Sequence, residues 1–186
     1  MSVAQRVTEA EYEHIVWADP AHKWELVDGR LREKPGMSWE HGEILIQLGY
    51  LFRRQLDRRQ FSVLGESRVR RPPSTIFIPD VFVAPIVYGE DFRDRPRVLA
   101  IMFQPLPLVV EVWSRSTGDY DAAAKIPVYQ ERGDLEIWRI HPYERTLTAW
   151  RRQPDGTYTE TVYHEGTVAP ATLPNVIIDL AEFFES

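Results

Sequence analysis

Two short apolar runs in this chain each carry a single carboxylate. One is IFIPDVFVAP, with Asp80 set among Ile76, Phe77, Ile78, Val81, Phe82 and Val83; the other is PLVVEVW, with Glu111 between Val110 and Val112. Apolar runs of about four to eight residues bounded by turn signals read as buried strands. An isolated ionised carboxylate in such a place is too costly to leave alone, so each acid needs hydrogen bonds, an ion-pair partner or a metal. This requirement limits the fold strongly, because both strands must be central and each must bring a partner to its acid. If the two strands pair, their carboxylates can converge on one hard cation. Mg²⁺ is commonly held by one or two protein carboxylates, with water and substrate phosphate completing its shell. The alternative is two unrelated acids at strand ends, each satisfied by backbone groups. Two acids sharing one metal-free site also repel, so removal of either is expected to relieve that strain.

The rest of the chain reads as mixed elements around these strands. VTEAEYEHI gives a short first helix, with Thr8 as cap and Glu11 three residues on. KWELVDGRLREKPG reads as a hairpin turning at Asp28-Gly29. From Ser38, a candidate cap, to about Arg59 the period becomes helical, with Ile44, Leu45, Leu48, Leu51, Phe52 and Leu56 at steps of three and four. FSVLGESRVRR and TIFIPDVFVAP are strand-like, and IVYGEDFRDRPRVLAIMFQP is a loop or a short helical insertion. GDYDAAAKIPVYQERG is a helix that Pro127 should kink or restart. DLEIWRIHP is a further buried strand, TLTAWRR and TYTETVYH a second hairpin, and LPNVIIDLAEFFES a strand entering a short helix. The order predicts one α/β (α+β) domain over 1–186, with an N-terminal hairpin and a β-rich C-terminal extension.

Other side chains join the candidate site by position. Lys125 lies on the helix after the Glu111 strand, where an ammonium could orient an attacking water or offset charge on a phosphorane-like transition state; the plainer alternative is a solvated helix lysine. Glu40 falls at the edge of the apolar arc of the long helix, within reach of a cleft beside the sheet. His41 falls near the centre of that arc and reads first as a satisfied core histidine, and Glu66 in GESRVRR is a weaker acid candidate.

The chain has a net charge of −6, which excludes a nucleic-acid coat protein, yet its arginines cluster at 53, 54, 58 and 59, at 68, 70 and 71, and at 93, 95 and 97. An acidic centre flanked by arginines suits an enzyme acting on a phosphodiester; the simpler alternative for each cluster is solvated surface. There is no cysteine, hence no disulfide framework and no thiolate metal site. No apolar run reaches the roughly 18 residues that span a bilayer. The start has no signal-peptide core, so a cytoplasmic location without membrane partners is expected. The aromatic ending (Trp150, Tyr158, Tyr163, Phe183, Phe184) reads as core, with a homodimer surface as the alternative.

The ordered string ELVDG, SWEHGEI, GES, IPDVFV, PLVVEVWSRST and DAAAKIPVYQERGDLEIWRIHP resembles the Uma-two family of restriction endonucleases, within the PD-(D/E)XK nuclease superfamily. The resemblance covers about Trp24 to Pro142. It implies a restriction-endonuclease-like mixed β-sheet flanked by helices, and a Mg²⁺- or Mn²⁺-dependent endonuclease acting on DNA. It also implies Pro79-Asp80 as first motif, Glu111 as the acid of the second, and Asp80 and Glu111 as metal ligands. The lysine usual in the second motif would stand at Trp113; the family places it on the next helix, where Lys125 matches, and Glu40 matches the acid of the first core helix. Two departures concern specificity and activity: leucine replaces an acid before the Glu111 strand, and SRS, with Arg115, replaces SPS. The rival functions are a non-catalytic nucleic-acid-binding or interaction module on the same fold, and a metal-dependent phosphohydrolase acting on nucleotides.

Overall fold

The computed structural model describes residues 6–116, 120–173 and 175–185. Helix α1 (Glu9–Ala18) begins at a capping box: Thr8 Oγ1 accepts from the Glu11 amide, and the Glu11 carboxylate accepts from the Thr8 amide. Strands β1 (Trp24–Val27) and β2 (Arg30–Glu33) form the hairpin. Its Asp28 and Gly29 take φ of 47° and 78°, the two positive values that a tight hairpin turn demands. Ser38 caps α2 (Trp39–Gln55), whose Ile44, Leu48 and Phe52 are buried at helical spacing.

The run around Asp80, which reads as one strand, is two. β5 (Thr75–Phe77) and β6 (Val81–Pro85) lie in different sheets, and Ile78, Pro79 and Asp80 make the bend between them. Pro79 has no amide hydrogen to give to a ladder, so pairing stops there and resumes with new neighbours. FSVLGESRVRR divides likewise into β3 (Phe61–Gly65) and β4 (Arg68–Arg71), with Glu66 at φ 57° between them.

After a 3₁₀ turn (Ile86–Gly89) and a two-residue strand β7 (Ile101–Met102) comes β8 (Leu108–Val112), buried along its whole length. A π-helical turn (Asp121–Lys125) leads into α3 (Ile126–Arg132). Pro127 restarts the helix from its first turn, where a missing amide leaves no bond unmade, and Gly133 ends it at φ 78°. Gly118 and Asp119, where that helix was expected to begin, lie outside the described residues. The β-rich extension is β9 (Glu136–His141), β10 (Thr146–Arg152), β11 (Tyr158–Tyr163), β12 (Thr167–Val168) and β13 (Ile178–Asp179), closed by α4 (Leu180–Glu185).

Among the described residues, β11-β10-β9-β8-β6-β3 form a six-stranded sheet and β2-β1-β5-β4-β7 a five-stranded one. The large sheet is mixed, since β8 runs antiparallel to β6 and parallel to β9. One of its faces carries Val81, Val83, Val110 and Trp138 against Leu48 and Phe52 of α2, with Ile178 and Phe183 from the C-terminal segment closing the same core. The other face carries Phe82, Val109 and Ile137 against Ile126 and Tyr129 of α3 and Phe77 of the small sheet. The C-terminal aromatics join these cores: Phe183 is buried, Tyr163 and Phe184 pack on the first cluster, and Trp150 and Tyr158 on the second.

Arg132 ties α3 to the small sheet. Its guanidinium donates to the carbonyls of Arg70, Met102 and Gln104, while its Nε donates to Asp134 Oδ2 at 3.0 Å. Asp134 in turn accepts from the Leu106 amide at 2.8 Å. The two side chains are 2% and 0% exposed, so neither can find water if the other is lost. Asp134→Ala should therefore cost about 3–5 kcal/mol of stability, the usual penalty for a buried charge left without its partner. Urea unfolding followed by tryptophan fluorescence measures it; a loss under 1 kcal/mol, on the order of an exposed pair, would contradict this account.

Candidate active site

The junction of the two sheets holds a cluster of buried charge. β6 and β8 pair in the register Phe82↔Val109 and Val81↔Val110. Extending that register by one residue sets Asp80 opposite Glu111, with both side chains on the face that looks toward α3. The Val112 amide donates to Asp80 Oδ2 at 2.8 Å, which ties the bend to the strand. Both acids are buried.

Each is matched by cations and donors from other elements. Lys34, just past β2, donates to Asp80 Oδ1 and to the Ile78 carbonyl, both at 2.7 Å. His41, in the first turn of α2, brings Nε2 to 3.1 Å from Asp80 Oδ2. Lys125, last residue of the π turn, lies 3.3 Å from Glu111 Oε1 and 3.0 Å from Glu25 Oε1. Tyr129 stands one helical turn further on the same face and donates to Glu111 Oε1 at 2.5 Å. Glu25, from β1, also accepts from the Ile78 amide at 2.9 Å. Burial by itself pushes the Asp80 carboxyl up. The Lys34 ammonium, the contact with His41 and the charge of Lys125 outweigh burial and hold the group well below the usual carboxylate range.

Glu25, Arg32, Lys34, His41, Asp80, Ser114 and Lys125 line a narrow cavity with room for about one water molecule or small ion. Arg32 sits at its edge, its guanidinium 3.1 Å from the centre of the Tyr120 ring.

The structure thus brings Asp80, Glu111 and Lys125 together, and it leaves Glu40 outside. Glu40 is exposed and accepts from Tyr143 at 3.0 Å, because a one-residue step along α2 turns it about 100° away from His41. It is His41, read as a core histidine, that reaches Asp80. Glu66 is exposed and paired with Lys23, and Arg115 is exposed. Trp113, where the second-motif lysine would stand, stacks on His141 with ring centres 4.2 Å apart. The arginines of β4 are engaged within the fold: Arg68 by Tyr12, Arg70 by Glu9, and Arg71 by Asp28 and Glu131. Reasoning from the sequence missed Glu25 and Lys34. WELV carries the same signal as the other two runs, one acid inside an apolar strand, whereas Lys34 in REKPG carries none.

The lysines also overturn the idea that removing an acid relieves repulsion. Asp80 and Glu111 are both paired, so loss of either takes a partner from a buried ammonium rather than a neighbour from a like charge.

A divalent metal fits this donor set by its chemistry. Asp80 and Glu111 offer hard carboxylate oxygens from facing strands, and water and phosphate would supply the remaining ligands. Among the described residues no group of three or more His, Asp or Glu side chains is arranged to hold a metal without such help.

The architecture is thus a mixed sheet with helices on its faces and two opposed acids at a strand bend. The fold is shared with the crystal structure of a protein described as a putative nuclease belonging to DUF820 from Anabaena variabilis ATCC 29413. That structure is 18% identical, with a TM-score of 0.72 over 87% of this chain and 89% of that one. The chain itself belongs to the Uma2 family, described as putative restriction endonuclease, which it matches over residues 9–181. No curated protein matches it. No helix among the described residues is long and apolar enough to cross a membrane.

Shared ownership of Lys125 has a measurable consequence. Glu25→Gln and Glu111→Gln should each cost about 1–3 kcal/mol, because one carboxylate still serves the ammonium. The double variant leaves Lys125 without either, and should exceed the sum by about 0.5–3 kcal/mol. Urea melts in chelator test this, and strict additivity would rule out the shared pairing.

Proposed function

We propose that this chain is a divalent-metal-dependent endonuclease that hydrolyses phosphodiester bonds in DNA, with the junction cluster as its active site. The observation that carries the reading is the apposition of Asp80 and Glu111, both buried, across β6 and β8, with Lys125 against Glu111 and lining one narrow cavity with Asp80. Membership of the Uma2 family supports the same class of chemistry.

Asp80 and Glu111 would hold Mg²⁺ or Mn²⁺, which when bound lowers the pKa of a water and polarises the scissile phosphate. The protein does the rest by position. The strand register sets the spacing of the two acids, and the Val112 amide and Tyr129 hydroxyl fix their rotamers. Lys125 is held between two carboxylates and faces the pocket, where it can orient a nucleophile and offset negative charge on the phosphate in flight. His41 and Lys34 keep Asp80 ionised. Glu40, on the surface with Tyr143, has no part in this scheme.

A second reading rests on the same cluster. Carboxylates already matched by two lysines need no metal to remain buried, which suits a non-catalytic nucleic-acid-binding module. Cleavage separates the two. The purified protein should cut plasmid or oligonucleotide DNA with Mg²⁺ or Mn²⁺ and not in chelator. Asp80→Asn and Glu111→Gln should abolish cutting, and Lys125→Met should slow it about 10²–10³-fold while metal still binds. DNA binding without cleavage under any metal condition would decide for the module.

A further inference from the structure

Lys34 is buried further than lysines normally are. Its side chain is 13% exposed, and its ammonium donates 2.7 Å bonds to two hard oxygens, the Ile78 carbonyl and Asp80 Oδ1. Those are oxygens of the kind that Mg²⁺ prefers. Resting on the reading of Asp80 as a metal ligand, we propose that Lys34 is an internal counter-ion that occupies Asp80 in the metal-free protein and is exchanged for the metal, rather than joined by it.

Charge balance argues for exchange. Glu25, Asp80 and Glu111 face two ammonium groups, Lys34 and Lys125, and the Arg32 guanidinium lines the same cavity, so three carboxylates already meet three cations. A dication added to that arrangement leaves a surplus positive charge in a buried place, which is costly. With Lys34 withdrawn, the positive surplus that a dication brings is smaller by one charge.

There is also somewhere for Lys34 to go. On its other side lies a second hollow of about 260 Å³ that Lys34 and Asp80 also line, together with Lys23, Met37 and Glu66. It is far roomier than the cavity beside Lys125, and the exposed Glu66 carboxylate, now paired with Lys23, can receive a second ammonium. Lys34 has only to rotate about its own stem, because its backbone is fixed by the bond from its amide to the Lys23 carbonyl. The metal affinity of this protein is then set by a competition between a tethered monocation and a free dication for one oxygen of Asp80.

The test is Mn²⁺ binding without DNA, followed by calorimetry and by the electron paramagnetic resonance of free Mn²⁺. Lys34→Met and Lys34→Gln should bind Mn²⁺ about tenfold or more tightly than wild type, and Asp80→Asn should erase the gain in either background. Both neutral variants should melt lower than wild type in chelator and recover with Mn²⁺. If both fail to fold, the wild type still decides: acylation of Lys34 by an amine reagent, mapped by mass spectrometry, should speed up when Mg²⁺ is added. Unchanged affinity in a folded variant, or unchanged or slower labelling of wild type, overturns the exchange while leaving metal-dependent cleavage intact. Absence of Mn²⁺ binding in wild type and variants alike overturns the exchange and the metal-dependent reading together.

Discussion

Three carboxylates are buried where two sheets meet, and the need to match them with cations organises much of this molecule. Glu25 comes from the five-stranded sheet, Glu111 from the six-stranded sheet, and Asp80 from the bend that joins them. Lys125 touches the first two, Lys34 the third, and the Ile78 amide ties Glu25 back to the bend. Ion pairs taken out of water contribute little net stability compared with apolar residues of the same volume. A joint built from them is therefore a poor way to hold sheets together and a good way to prepare a polar site. The large apolar clusters on either face of β8 supply the stability that such a joint does not.

The bend at Pro79 does two things at once. It ends pairing in one sheet, and it leaves Asp80 at the mouth of the next strand, where Lys34 just past β2, His41 of α2 and the Val112 amide of β8 can all reach it. An acid in the middle of a continuous strand would have faced only its cross-strand neighbours. The π-helical turn plays a similar part for Lys125, because it delivers the ammonium to the junction before α3 settles onto its apolar face with Ile126 and Tyr129.

Arginines on this protein fall into different uses. Those of β4 are engaged by Tyr12, Glu9, Asp28 and Glu131, so they hold α1, the hairpin and α3 against the small sheet. These arginines are therefore taken up by internal contacts, in a chain whose net charge is −6.

Much was legible in the sequence because the signals were local. The Asp28-Gly29 turn, the caps at Thr8 and Ser38, the restart at Pro127 and the apolar face of α2 depend on neighbours within a few residues. The acids Asp80 and Glu111 stood out for the same reason, since each interrupts its own apolar run. What tertiary structure alone decided was partnership. Lys34, Glu25 and His41 meet Asp80 and Lys125 across 46, 100 and 39 positions of chain respectively, and no local pattern in REKPG announces an ammonium that will be buried. The division of the Asp80 run between two sheets, and the turn of Glu40 toward solvent while His41 turns inward, were settled by which surfaces packed. The sequence by itself determined which groups had to find partners, because burial of charge is a local demand; only the fold decided which partners they found, because pairing is a property of space rather than of order along the chain.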